Sequence, residues 1–299
     1  MRHTKLVIGC GYLGRRVARR WRDGGDQAFV VTRSHRRGAE FEREGLLPIV
    51  ADVTDLASLV GKLPAADTVL FAVGYDRRAD KPIEAVYVAG LRHVLDALPA
   101  ATGRIVYVSS TGVYGDAAGE WIDEDTPCRP SRPGGIASFE AERVLAGHRL
   151  GAQSIVLRLA GLYGPGRIPR ADAIRRGEPI AAAQDGFLNL IHVDDAVEVV
   201  AAAARTAMDV YPTRYVVSDG HPVVRREYYQ ELARLLGAPS PRFVPAEATS
   251  LAAARAAEDK RVSNRRMLAE LGITLRHPTY RQGLAQIVAA EGIDPQKSK

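Results

Sequence analysis

Three glycines, in the run Gly9-Cys10-Gly11-Tyr12-Leu13-Gly14, constrain the fold of this chain more than any other feature. They follow the apolar triplet Leu6-Val7-Ile8 and open a helical pattern, so a strand must turn sharply into a helix there. A G-x-G-x-x-G run between a strand and a helix has a physical reason for each glycine. The first makes the tight turn, the second lets backbone approach a pyrophosphate, and the third lets helix and strand pack closely. The helix start then offers unpaired N–H groups and a positive dipole end to phosphate. Gly9, Gly11, Tyr12, Leu13 and Gly14 are therefore expected to contact a dinucleotide.

The rest of the chain repeats the same rhythm. Short apolar runs at 6–8, 28–31, 48–50, 68–73, 104–108 and 154–159 alternate with helical patterns that begin near Gly11, Ala39, Asp55, Ile83 and Ile136. Nearly continuous apolar character with β-branched enrichment suits strands buried on both faces, as in a parallel sheet covered by helices. The fold class is α/β, a doubly wound parallel (Rossmann) sheet. With 299 residues, a second unit is affordable. The dinucleotide-binding domain is expected over 1–160, with 187–204 returning to it, and a smaller C-terminal α/β lobe of substrate type over 161–299. The Gly- and Pro-rich run 161–167 marks the boundary as a loop. Within the lobe, Arg214 to Val217 is expected as a strand, and Glu227 to Leu236 and Ser263 to Leu271 as helices. The alanine-rich stretch 246–257 is also expected to be helical.

The second strand is where the dinucleotide can be specified. An NAD-selective site places an acid there for the ribose 2′-hydroxyl. Here the strand ends Val31-Thr32-Arg33-Ser34-His35-Arg36-Arg37, without an acid. Thr32, Arg33, Ser34 and Arg37 suit a 2′-phosphate, so NADP is expected in preference to NAD. Asp52 and Val53 follow the third strand, where Asp52 either receives an adenine amino group or caps a helix; Ala72, Val73 and Gly74 end the fourth. The net charge of +6 falls partly on this arginine-rich region, which favours a phosphorylated small molecule over nucleic acid. Cys10 and Cys128 make neither a disulfide framework nor a metal motif, and a cytoplasmic protein without a membrane segment is expected.

These motifs, with Val108-Ser109-Ser110-Thr111-Gly112-Val113-Tyr114-Gly115, the run from Leu157 to Arg167, and Ile191-His192-Val193-Asp194-Asp195, make the chain resemble the short-chain dehydrogenase/reductase superfamily. The similarity is to its extended, epimerase/dehydratase-like branch and covers nearly the whole chain. The resemblance implies a Ser or Thr that binds the substrate oxygen, a Tyr that moves the proton, and a Lys four residues after the Tyr that lowers its pKa and holds the ribose. Ser110 matches the first. Counting back from Glu142 places Gly134 at the Tyr position and Ser138 at the Lys position. None of the eleven tyrosines has a lysine four residues later, so no shift of the alignment restores the pair. The chain thus looks like an atypical member.

If it is a catalyst, another group or water must move the proton. Ser110 and Tyr114 are the catalytic candidates, and Thr111, Tyr163, Arg167 and His192 the substrate candidates at the expected cleft. No metal is expected. The segment Lys260-Arg261-Val262-Ser263-Asn264 resembles one that closes the lobe in relatives and is given no chemistry. Two functions remain open: an NADP-using oxidoreductase or epimerase-like enzyme on a small carbonyl or hydroxyl substrate, or a non-catalytic NADP-binding regulatory protein. By analogy with extended relatives a homodimer is possible.

Overall fold

The computed structural model describes residues 2–76, 78, 80–207, 213–245 and 258–290. The alanine-rich stretch 246–257 lies outside the described residues. Its central sheet consists of β1 (Thr4–Ile8), β2 (Gln27–Thr32), β3 (Leu47–Val50), β4 (Thr68–Phe71), β5 (Arg104–Ser110), β6 (Ser154–Leu159) and β7 (Thr213–Val217). Their spatial order is β7-β6-β5-β4-β1-β2-β3, and every pairing is parallel. The order reverses between β1 and β4, and in such sheets the crevice outside their carboxyl ends is where a ligand sits.

The helices are α1 (Tyr12–Asp23), α2 (His35–Arg43), α3 (Leu56–Leu59), α4 (Gly90–Ala97), α5 (Pro133–Gly147), α6 (Ala171–Arg175), α7 (Val193–Ala203), α8 (Arg225–Leu236), α9 (Arg265–Leu271) and α10 (Tyr280–Ala290). Alternation along each strand feeds two cores. Val7, Val30, Leu70, Val106 and Leu157 face α1 and α7, while Leu6, Ile8, Val69, Phe71, Ile105 and Tyr107 face α4 and α5. Each such side chain, fully buried, contributes about 1.5–3 kcal/mol. A third cluster joins Tyr163, Tyr228, Leu232, Leu284 and Ile287 under α8 and α10.

Two elements differ from expectation. Helix α2 starts at His35 rather than near Ala39, because the Ser34 hydroxyl accepts from the Arg37 N–H and caps the helix four residues earlier. The segment 213–217 is the outer strand of the central sheet and not part of a separate lobe. It pairs with β6 from Thr213 opposite Ile155 to Val217 opposite Leu159, with Tyr215, Val216 and Val217 wholly buried. Its backbone covers the outer edge of β6, whose other edge is paired with β5. Among the described residues no helix is long and apolar enough to cross a membrane.

Candidate dinucleotide and substrate site

The glycine turn is built by close approach. Gly9 has φ +92°, and a Cβ on it would lie 2.5 Å from the Ala72 carbonyl oxygen. A Cβ on Gly14 would lie 2.3 Å from the Gly9 carbonyl oxygen, so any larger residue would push α1 off β1. Gly11 is different: nothing stands within 4 Å of its Cβ position. It is also the N-cap of α1, without a side-chain cap and without an acid in the first turn. That leaves the N–H groups of the first turn free for an anion and leaves room for it, as a pyrophosphate requires.

Beside this turn a cavity of about 270 Å³ is lined by Gly9, Cys10, Gly11, Thr32, Arg33, Arg37, Asp52, Val53, Val73 and Gly74. Arg37 donates to the Cys10 carbonyl at 2.8 Å and stacks on Phe41, so its guanidinium is fixed against the glycine turn. Thr32 Oγ1 accepts from the Ser34 N–H at 3.3 Å. Arg33 is exposed and has no ion-pair or hydrogen-bond partner among the described residues. Asp52 accepts from both the N–H and the hydroxyl of Thr54, each at 2.9 Å, while Asp55 caps α3. Asp52 therefore orders the turn at the cavity wall. Cys10, Asp76 and Val86 also line the space. Burial pushes the Cys10 thiol up to about 12, so it lines the wall as a neutral group. Val86 comes from a π-turn before α4, for which the sequence carries no local signal.

On the substrate side, Ser110 ends β5 and its Oγ accepts from the Gly112 N–H at 3.1 Å, capping a tight turn that buries Thr111 and Tyr114. The Tyr114 hydroxyl accepts from Arg158 Nη1 at 2.8 Å, and burial pushes the phenol up to about 12. Arg158 is itself buried and forked onto Glu142 at 3.0 and 2.6 Å, where Ser109 Oγ also donates at 2.6 Å. Tyr114 thus belongs to a closed network. Gly134 and Ser138 lie on α5, with Ser138 Oγ donating to the Gly134 carbonyl at 2.8 Å.

The substrate candidates separate. Arg167 is exposed, its guanidinium 5.3 Å from the centre of the Tyr12 ring, and the Tyr12 hydroxyl donates to the Pro165 carbonyl. The 164–167 loop is thereby clasped to the start of α1. Tyr163 and His192 are corrected: both are buried away from any cleft rim, since they pack under α10 and at the start of α7. His192 Nδ1 accepts from the Asp194 N–H at 3.2 Å and its ring lies 3.7 Å from that of His277. Burial, together with His277, pushes it down to about 4, so it is neutral at pH 7. Asp195 joins these two in a cluster of metal-ligand type, but its oxygens accept from Arg276 N, His277 N and His277 Nδ1, and His277 Nε2 meets Gln286 Oε1 at 2.7 Å. Those lone pairs are spent on holding the segment before α10. A second cluster was not foreseen. Arg132, Glu258 and Lys260 converge next to the Ser110 turn from distant parts of the sequence, which no motif spacing announces.

The model of the NAD-dependent epimerase/dehydratase family matches residues 6–218. The chain belongs to that family. Members bind a nicotinamide dinucleotide, which fits the open cradle above Gly11. The Escherichia coli (strain K12) protein YeeZ is 30% identical over 247 residues, 79% of this chain and 85% of its own. A 3-diazoavenalumate denitrifying reductase from a Streptomyces species is 29% identical, covering 94% of this chain and 99% of its own. Among solved structures, a conserved protein of unknown function from Silicibacter pomeroyi superposes with a TM-score of 0.78 at 29% identity, covering 97% of this chain and 99% of its own. A "putative NAD-dependent epimerase/dehydratase" from Methylobacillus flagellatus superposes with a TM-score of 0.77 at 30% identity over 98% of this chain and 100% of its own, so the likeness in fold extends through the C-terminal region.

Proposed function

We propose that this family member is an NADP-using oxidoreductase or epimerase-like enzyme that acts on a small carbonyl or hydroxyl substrate without a Tyr-x-x-x-Lys pair. The observation that carries the proposal is the pair Arg33 and Arg37 in the cavity beside the glycine turn, one unpartnered and one fixed. Arg37 is pre-oriented for a 2′-phosphate and Arg33 is free to close on it. When bound, the nicotinamide supplies hydride exchange at carbon. The first turn of α1 would hold the pyrophosphate, and Ser110, whose Oγ accepts from the Gly112 N–H, keeps its own O–H to donate to the substrate oxygen. Tyr114 stays out of the proton step, because its hydroxyl is engaged by Arg158 and its proton is held well above neutral pH. The proton is then moved by water or by a group other than a Tyr-Lys pair. The two thiols, Cys10 and Cys128, are both free, in keeping with a cytoplasmic setting.

Fluorescence titration with NADPH and NADH tests the assignment. Arg33→Ala and Arg37→Ala are expected to weaken NADPH by about ten-fold or more, a loss of about 1.4 kcal/mol, and NADH far less. Equal weakening of both would sink the 2′-phosphate site. Turnover on a panel of carbonyl substrates tests the chemistry: Ser110→Ala is expected to lower kcat by about 10²-fold. Tight dinucleotide binding with no turnover by the unmodified chain would point to a regulatory binder.

A further inference from the structure

Alternation along the strands puts a polar row on the face of the sheet that α1 and α7 cover. Val7, Leu70 and Val106 belong to the core on that face, and two residues before each of them stand Lys5, Thr68 and Arg104. The register makes these three neighbours across β1, β4 and β5, with Lys5 opposite Thr68 and Thr68 opposite Arg104. All three are buried, at 7%, 2% and 8% exposure. Two cations and a hydroxyl thus stand where the pattern of the sheet suits apolar side chains, and burying a charge costs free energy that packing alone does not require.

Over this row lies a cavity of about 680 Å³, at the end of the sheet opposite to the glycine turn. The row lines it together with Trp21 near the end of α1, Arg205 just after α7, and Asp26 and Asp67. Its volume falls in the range of about 300–1,000 Å³ that small-molecule sites occupy and exceeds the 270 Å³ beside the glycine turn.

The cations of the cavity differ in what engages them. Arg104 serves α7: Nη1 donates to the Ala203 carbonyl at 3.3 Å and to the Ala204 carbonyl, and Nη2 to that of Thr206. Lys5 Nζ donates to Thr68 Oγ1 at 3.0 Å and stands 5.7 Å from the centre of the Trp21 ring. An ammonium carries three donors, and no second acceptor meets this one among the described residues. Both acids are turned to backbone, since Asp67 Oδ2 accepts from the Thr4 N–H at 2.7 Å and Asp26 Oδ1 from the His3 N–H at 3.3 Å. Neither forms an ion pair with Lys5 among the described residues. Burial pushes the Lys5 ammonium below its usual range, against the pull of Asp26 and Asp67 and with Arg104 and Arg205 adding to the fall. Arg205 is exposed and has no hydrogen-bond or ion-pair partner among the described residues.

We propose that this cavity is a second ligand site, in which Lys5 and Arg205 bind the phosphate group of a small phosphorylated molecule. A dianion matches two cations that have no carboxylate of their own, and an ammonium on a flexible stem meets phosphate as a point charge. Thr68 is a positioning residue that fixes Nζ through its hydroxyl. The cavity is far larger than one phosphate group, so the remainder of the molecule occupies it as well. Nothing in this site draws on the glycine turn or on Ser110.

The chain has two tryptophans, so Trp121→Phe leaves Trp21 as a fluorescent reporter of this cavity. In that background ribose 5-phosphate is expected to give a saturable change, inorganic phosphate a weaker one and ribose none. Lys5→Met is expected to weaken ribose 5-phosphate by about ten-fold or more and Arg205→Ala by about three-fold, whereas Arg37→Ala, in the other cavity, leaves it within about two-fold. The proposal is overturned if ribose 5-phosphate gives no saturable change, if ribose or inorganic phosphate binds as tightly, or if folded Lys5→Met, checked by circular dichroism, binds undiminished. Should Lys5→Met not fold, undiminished binding by Arg205→Ala, altered only at an exposed side chain, overturns it instead. A signal kept by Lys5→Met and lost in Arg37→Ala would move the binding to the cavity beside the glycine turn and likewise overturn it.

Discussion

Asp219 shows how one buried group sets a pH dependence. Burial pushes its carboxyl from 3.8 up to about 7; Oδ1 accepts from the His221 N–H, while Oδ2 is buried without a partner among the described residues. Because the folded state holds the proton more tightly than the unfolded state, this group's contribution is fully present below about pH 4 and is lost as pH rises through about 7. Melting temperature is therefore expected to fall between about pH 4 and pH 7 and to level off above that. Asp219→Asn should flatten that fall by about 2–4 °C for each kcal/mol removed, read by calorimetry across the range. An unchanged slope would mean that the carboxyl ionises without cost. At this scale the glycine turn and the cavity beside it were legible in the sequence, because Gly9 and Gly14 are required by contacts within one turn and Arg33 and Arg37 follow the strand next to it. Arg132 and Lys260 were not, since their meeting depends on a chain return across more than a hundred residues.

Between elements, the Ser109–Glu142–Arg158–Tyr114 network ties β5, α5, β6 and the Ser110 turn together. Arg158 is 1% exposed, so either charge left alone would be stranded in the interior. Glu142→Leu and Arg158→Met, each alone, are expected to cost about 3–5 kcal/mol, and the double variant much less than the sum. Urea unfolding of the four-member cycle measures this. Additive losses would show that the pair is not coupled. The strand rhythm of the first 160 residues could be read from apolar runs alone, because those strands, the edge strand β3 apart, are largely buried on both faces. The segment 213–217 was assigned to the wrong unit for the same reason that makes it a strand: a short apolar run has no local mark of which sheet it joins. Tyr163 and His192 were misplaced because sequence spacing does not tell a cleft wall from the core beneath it.

For the whole molecule, the cavity and the glycine turn draw on β1, β2, β4 and the segment after β3, so a bound dinucleotide clamps both halves of the sheet. A ligand at 100 times its Kd stabilises by about 2.7 kcal/mol, and NADP is expected to raise the melting temperature by about 5–10 °C. A rise with NAD equal to that with NADP at matched concentrations would contradict the arginine assignment. The placement of β7 has a consequence for synthesis. The chain must be made beyond residue 217 before the strand beside β6 exists, and until then the edge from Ser154 to Leu159 stands open with its peptide groups unpaired. A nascent chain halted before that point would carry an open parallel edge, the kind of edge that pairs with other chains.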